Sequence, residues 1–136
     1  MRSWTNVSSI SLARLLLDTH VLIWVPSGDP RLSAAAREAM QHAEAELFAS
    51  AVTAFELADL QARRRVAMTE DLATFAGPLG LSVLDLPANA WTVAAGLPEI
   101  HRDPVDRMMI AHAMIGDFTL VTGDAKVRRY PVRTLW

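Results

Sequence analysis

Three leucines in a row, Leu15, Leu16 and Leu17, run straight into Asp18 and Thr19, and this junction constrains the fold more than any other stretch of the chain. A continuous apolar run of that length suits a strand buried on both faces, as in a parallel sheet, better than one with a face in water. The run stops at a carboxylate and a hydroxyl, so a strand over 14–18 delivers two polar groups to a sheet edge. Further short apolar segments at 47–50, 82–86, 118–122 and 132–135 read as strands. Helical stretches separate them. Ser33 caps a helix over 34–44 with Leu32 as a staple, and Thr53 with Glu56 has capping-box spacing at the start of a helix running through Leu60. A helix over 70–76 is broken by Gly77 and Pro78, Pro87 opens another that ends at Gly96, and Asp103 with Pro104 opens an apolar helix closed by Gly116. Parallel neighbours need a crossover, and helices supply it, so this alternation predicts an α/β fold whose sheet is covered on both faces.

Composition narrows the class. With 136 residues and 51% hydrophobic content, the chain suits one domain over 14–136, with the polar, Ser-rich residues 1–13 as a loosely ordered extension. The absence of cysteine removes disulfides, thiolate metal sites and a cysteine nucleophile together, and suits the cytoplasm. Asp18 and His20 interrupt the apolar stretch 15–25 well short of the roughly 18 residues that a membrane span needs. A net charge of -2 argues against gripping nucleic acid by bulk charge. The basic residues are nonetheless clustered arginines: Arg63, Arg64 and Arg65 in one run, Arg128 and Arg129 in another, and Arg102 and Arg107 beside an acidic motif. Such clusters around an acidic centre can hold a polyanion through the two-pronged guanidinium fork.

Each acid has an ordinary local explanation: Asp18 and Asp124 as turn residues, Glu56 as half of a capping box, Asp103 as an N-cap before Pro104, Asp106 as a complement to the helix dipole. Together they say more. Asp18 and Asp124 fall at the carboxyl ends of strands, where open α/β sheets bind ligands. Asp106 shares a helix face with Met109, Ile110 and Ala113, and a carboxylate turned inward needs a partner or a cation. Converging carboxylates raise each other's pKa, and a divalent cation reverses that cost. Asp18, Glu56, Asp106 and Asp124 therefore form a candidate catalytic and metal-binding quartet. Oxygen ligands without thiolates favour Mg²⁺ or Mn²⁺. His101 and His112 offer imidazole but read as surface or internally satisfied groups. No Gly-rich phosphate loop and no Gly-x-Ser-x-Gly elbow is present.

The segments Leu-Leu-Leu-Asp-Thr-His (15–20), Ser-Gly-Asp-Pro-Arg-Leu-Ser (27–33), Ser-Ala-Val-Thr-Ala-Phe-Glu-Leu (50–57), His-Arg-Asp-Pro-Val-Asp-Arg-Met-Met-Ile-Ala (101–111) and Leu-Val-Thr-Gly-Asp (120–124) together give a pattern that resembles the PIN-domain ribonucleases, specifically the VapC-type toxins of bacterial toxin–antitoxin pairs. The block at 101–111 is the most specific. The resemblance implies a three-layer α/β/α fold with a short central parallel sheet of four to five strands. It also implies a metal-dependent endoribonuclease that hydrolyses RNA phosphodiesters with metal-activated water. Asp18, Glu56, Asp106 and Asp124 look like the family's acidic quartet, with Asp103 as an accessory acid and Thr19 and Thr122 as hydroxyl neighbours. Arg63, Arg64, Arg107 and Arg128 become candidates for contacting RNA. A homodimer and a VapB-type antitoxin are the partners implied. Where relatives often carry Trp before the helix glutamate, this chain has Phe55. The competing readings are a phosphatase or DNA nuclease using the same acids, and a non-catalytic RNA- or protein-binding module.

Overall fold

A computed structural model describes residues 14–136; the expected N-terminal extension lies outside the described residues. Five parallel strands form one sheet in the order β3-β2-β1-β4-β5, with β1 (Arg14–Leu17) in the middle, β2 (Glu46–Ser50) and β3 (Leu81–Leu84) on one side, and β4 (Thr119–Val121) and β5 (Thr134–Leu135) on the other. Leu15, Leu16 and Leu17 have no solvent exposure, as the unbroken apolar run requires.

The pleat sends alternate leucines to opposite faces, and each face has its own core. Leu15 and Leu17 pack with Val21 and Leu22 of α1 (Thr19–Ser27), Ala36 of α2 (Ala34–Gln41), Leu57 of α3 (Ala51–Ala62) and Phe75 of α4 (Leu72–Leu79). Leu16 packs on the other side with Met109, Ile110 and Ala113 of α6 (Pro104–Gly116), together with Phe118, Val127 and Tyr130. The short α5 (Ala90–Ala95) lies against α6 through Ala90, Ala94 and Ala111. The result is the expected three-layer α/β/α arrangement.

Several local expectations change. Helix α1 follows β1 directly, where the sequence reading placed no helix, because Val21, Ile23, Val25 and Pro26 all count against one. Burial of Val21 and Leu22 against the sheet outweighs those propensities, and Gly28 ends the helix in the left-handed region at φ 63°. The capping box of Thr53 and Glu56 does not form. Ser50 is the cap of α3, accepting the Val52 N–H at 3.2 Å, and the Thr53 hydroxyl donates to the Ser50 carbonyl at 2.9 Å. That earlier start carries Glu56 into the second turn. Helix α4 continues through Gly77 and Pro78 to Leu79, because Asp71 caps its start and Phe75 and Ala76 anchor it in the core. Helix α5 starts three residues later than Pro87 suggests, after a turn in which Ala90 N–H donates to the Pro87 carbonyl at 2.9 Å.

Candidate metal centre

The sheet order reverses direction between β1 and β4, and Asp18 and Asp124 follow the carboxyl ends of those two strands, the usual ligand-binding edge of such a sheet. The seam is tight: Leu17 pairs with Val121, and the Asp18 N–H donates to the Val121 carbonyl at 3.1 Å. Asp18 caps α1, its Oδ1 accepting the Val21 N–H at 3.0 Å. The Thr122 side chain, with no solvent exposure, hydrogen-bonds the Asp18 carboxylate and accepts the Asp124 N–H at 3.1 Å. One hydroxyl thus links the acids that follow β1 and β4. Gly123 between them has no Cβ to obstruct Trp136, whose Cε2 would lie 2.6 Å from one.

Glu56 enters from α3. The Thr19 hydroxyl donates to its Oε1, so the residue after Asp18 ties the second-turn glutamate to the start of α1. Asp106 enters from α6, whose N-cap is Asp103; Asp103 Oδ1 accepts the N–H groups of Val105 at 2.8 Å and Asp106 at 3.3 Å. His101 completes the cluster, with Nε2 3.0 Å from Asp106 Oδ2 and 3.2 Å from Asp124 Oδ2. One potential ligand atom from each of His101, Asp106 and Asp124 lies within 4.8 Å of the others. By sequence alone His101 reads as a lone surface or satisfied histidine; the structure sets it against Asp106 and Asp124, outside any helix. His112 matches its reading as a satisfied core group: its Nδ1 lies 2.8 Å from Ser50 Oγ and its ring packs edge-on against Phe118.

The electrostatics suit a cation. Burial pushes the Asp18 carboxyl above its ordinary value of 3.8, against the downward pull of the Thr122 and Val21 hydrogen bonds and of His20. Asp106 is raised to about 7, first by burial and then by the neighbouring Asp103; His101 opposes the rise, and Glu56 and Asp124 add to it. Burial outranks the mutual repulsion that the sequence reading stressed. A divalent ion would relieve both, and the donors near it are hard carboxylate oxygens, as Mg²⁺ or Mn²⁺ requires.

The arginines divide. Arg63 is exposed and ion-paired with Asp59 at 3.1 Å, while Arg64 is exposed with a left-handed φ of 55°. Arg128 is exposed in the 3₁₀ turn that follows Asp124. The Arg107 guanidinium instead faces inward, donating through Nη1 to the carbonyls of Pro98 (2.9 Å) and His101 (3.2 Å), and through Nη2 to those of Ala94 (2.7 Å) and Leu97 (3.0 Å). Those contacts give it a scaffolding place where the sequence reading had offered it to RNA.

Comparison with known proteins agrees with this architecture. Ribonuclease VapC22 of Mycobacterium tuberculosis is 33% identical over 92% of this chain and 100% of its own length. The crystal structure of VapBC2 from Rickettsia felis, bound to a DNA fragment from its promoter, contains a chain that superposes with a TM-score of 0.64 at 18% identity, covering 89% of this chain and 96% of that one. A model of the PIN domain family matches residues 15–132. The chain belongs to the PIN-domain family, in its VapC-type branch.

Proposed function

We propose that this protein is a divalent-metal-dependent endoribonuclease acting as the toxin of a VapBC-type pair. The observation that supports the reading is the cluster of Asp106 with His101 and Asp124, whose potential ligand atoms lie within 4.8 Å of one another, with Asp106 raised to about 7 by burial and by the nearby Asp103, Glu56 and Asp124, and with Asp18 linked to the Asp124 backbone through Thr122. Such a pocket is costly for a protein to keep without a cation.

Asp18, Asp106 and Asp124 would hold the ion, with Glu56 beside them. When bound, a divalent cation supplies a polarised water and neutralises charge on the phosphate under attack. The chain's own residues set the geometry for that chemistry. The Thr122 hydroxyl and the Val21 N–H orient the Asp18 carboxylate. Lys126 N–H holds Asp124 Oδ1 at 2.8 Å, and Thr19 fixes Glu56. The exposed Arg63, Arg64 and Arg128 would meet backbone phosphates. The same reading gives the chain a VapB-type antitoxin as partner, a homodimeric state and a cytoplasmic setting. No helix among the described residues is long and apolar enough to cross a membrane.

The test is cleavage of RNA, DNA and a phosphomonoester side by side by purified, antitoxin-free protein with Mg²⁺ or Mn²⁺, beside an EDTA control and Asp18→Asn. RNA cleavage that needs the metal and disappears in the variant is the expected result. Metal-dependent turnover of DNA or the monoester alone would move the assignment to another phosphoryl hydrolase.

A further inference from the structure

We propose that His101 is a positioning residue of the metal centre and not one of its ligands: its Nε2 sits between Asp106 and Asp124 and donates its proton to Asp124, setting both carboxylates for the cation. This rests on the metal-centre reading above and adds to it a residue outside the acidic quartet.

The argument turns on where the ring carries its proton. Nδ1 of His101 accepts the Asp103 N–H at 3.2 Å. A ring nitrogen that accepts has no hydrogen, so the proton of the neutral imidazole sits on Nε2, hydrogen-bonded to Asp124 Oδ2 at 3.2 Å, with Asp106 Oδ2 3.0 Å from the same nitrogen. A histidine that ligates a metal shows the opposite arrangement, in which the bare nitrogen faces the ion and the other N–H donates to a carboxylate or carbonyl. Here a backbone donor stands where that acceptor should be. Turning the Nε2 lone pair toward a cation would set two N–H groups against each other.

The ring is also held independently of the acids it bridges. Tyr130 is buried, and its hydroxyl accepts the N–H groups of His101 at 2.7 Å and Ile100 at 3.2 Å while donating to the Pro98 carbonyl at 2.8 Å. Arg107 clamps the same segment from α6 through the carbonyls of Leu97, Pro98 and His101. Asp106 and Asp124 approach from different elements, α6 and the loop after β4, and this braced imidazole is the group between them. Partners that orient ligands in this way commonly set metal affinity by ten- to a hundredfold.

The experiment is Mn²⁺ binding to the full chain, read as loss of the free-ion EPR signal, with pulsed EPR of the bound ion to detect coordinated ¹⁴N. Wild type, His101→Ala and His101→Gln are compared. We expect bound Mn²⁺ without a directly coordinated nitrogen, roughly ten- to a hundredfold weaker binding in the alanine variant, and substantial recovery in the glutamine variant, whose amide N–H can restore a bridge. A directly coordinated ¹⁴N in wild type overturns the proposal without needing any variant to fold. So does unchanged affinity in folded His101→Ala. If wild type binds no Mn²⁺ at all, the metal-centre reading fails and takes this proposal with it.

Discussion

Thr122 hydrogen-bonds Asp18 across the seam between β1 and β4, giving a buried carboxylate a fixed direction and part of the compensation for its lost water. That bond lowers the Asp18 pKa while burial raises it. Thr122→Val keeps the shape and removes the hydroxyl, so the carboxyl should hold its proton to higher pH and compete less well for a cation. Hydrogen bonds to charged groups contribute about 1.5–3 kcal/mol, so we expect roughly ten- to a hundredfold weaker Mn²⁺ binding at neutral pH, with Thr122→Ser close to wild type. Calorimetric titration at several pH values checks both the size and the direction.

Asp106→Asn should abolish metal-dependent cleavage while leaving the metal-free fold as stable as wild type or more so. The sign follows from linkage: with a folded pKa of about 7 against 3.8, Asp106 holds more protons in the native than in the unfolded state across that window. Its stabilising proton is fully present below pH 3.8 and lost as pH rises toward 7. In EDTA, wild type should lose on the order of 3 kcal/mol relative to the asparagine variant between pH 4 and pH 7. Denaturant unfolding of both proteins over that range gives the difference directly, and parallel slopes would count against it.

His112 acts in the opposite direction, because burial lowers its pKa below 6.5. The unfolded chain takes up a proton that the folded one refuses, so this contribution is intact above pH 6.5 and lost as pH falls toward the lowered folded value. Because the raised Asp18 and Asp106 slope the other way, the effect is read as a difference: the stability of a folded His112→Gln variant should gain on that of wild type as pH falls below 6.5. Ser50→Ala removes both the cap of α3 and the partner of His112, and should cost about 1–3 kcal/mol in thermal or denaturant unfolding.

Arg107 and Arg128 should separate scaffold from substrate contact. Arg107→Ala leaves several carbonyls of the segment 94–101 without their donor and should cost about 2–4 kcal/mol of stability. Exposed Arg128→Ala should leave the melting temperature nearly unchanged while raising KM for RNA, more so at low salt. A melting-temperature loss in the second protein with unchanged KM would reverse the assignment.

The three-layer fold and the positions of Asp18 and Asp124 after neighbouring strands were legible because both depend on local patterns: a continuous apolar run buried on both faces, and polar residues where strands stop. Glu56 was legible by identity but not by partner. The capping-box spacing pointed to Thr53, whereas Ser50 starts the helix early and Thr19, from another element, takes the glutamate. Helix α1 was hidden because its residues oppose helix formation and only burial against the sheet overrides them. His101 read as a lone surface or satisfied histidine, and only part of its setting is local, through Asp103 and Asp106. Its bond to Asp124 and its support by Tyr130 join residues more than twenty positions apart, which no local spacing rule reaches.

The central place of β1 in the sheet also bears on the order of events during synthesis. Its β4 neighbour follows β2, β3 and α6 along the chain, so a growing chain carries Asp18, Glu56 and Asp106 before either the seam or Asp124 exists. Pairings between segments so distant in sequence form late. On the ribonuclease reading, we therefore expect ribosome-arrested chains ending before Thr119 to bind no Mn²⁺, and a bound ion on such chains would refute this. On that reading strand order would work as a safety interval, with an enzyme directed against RNA unarmed until the seam closes.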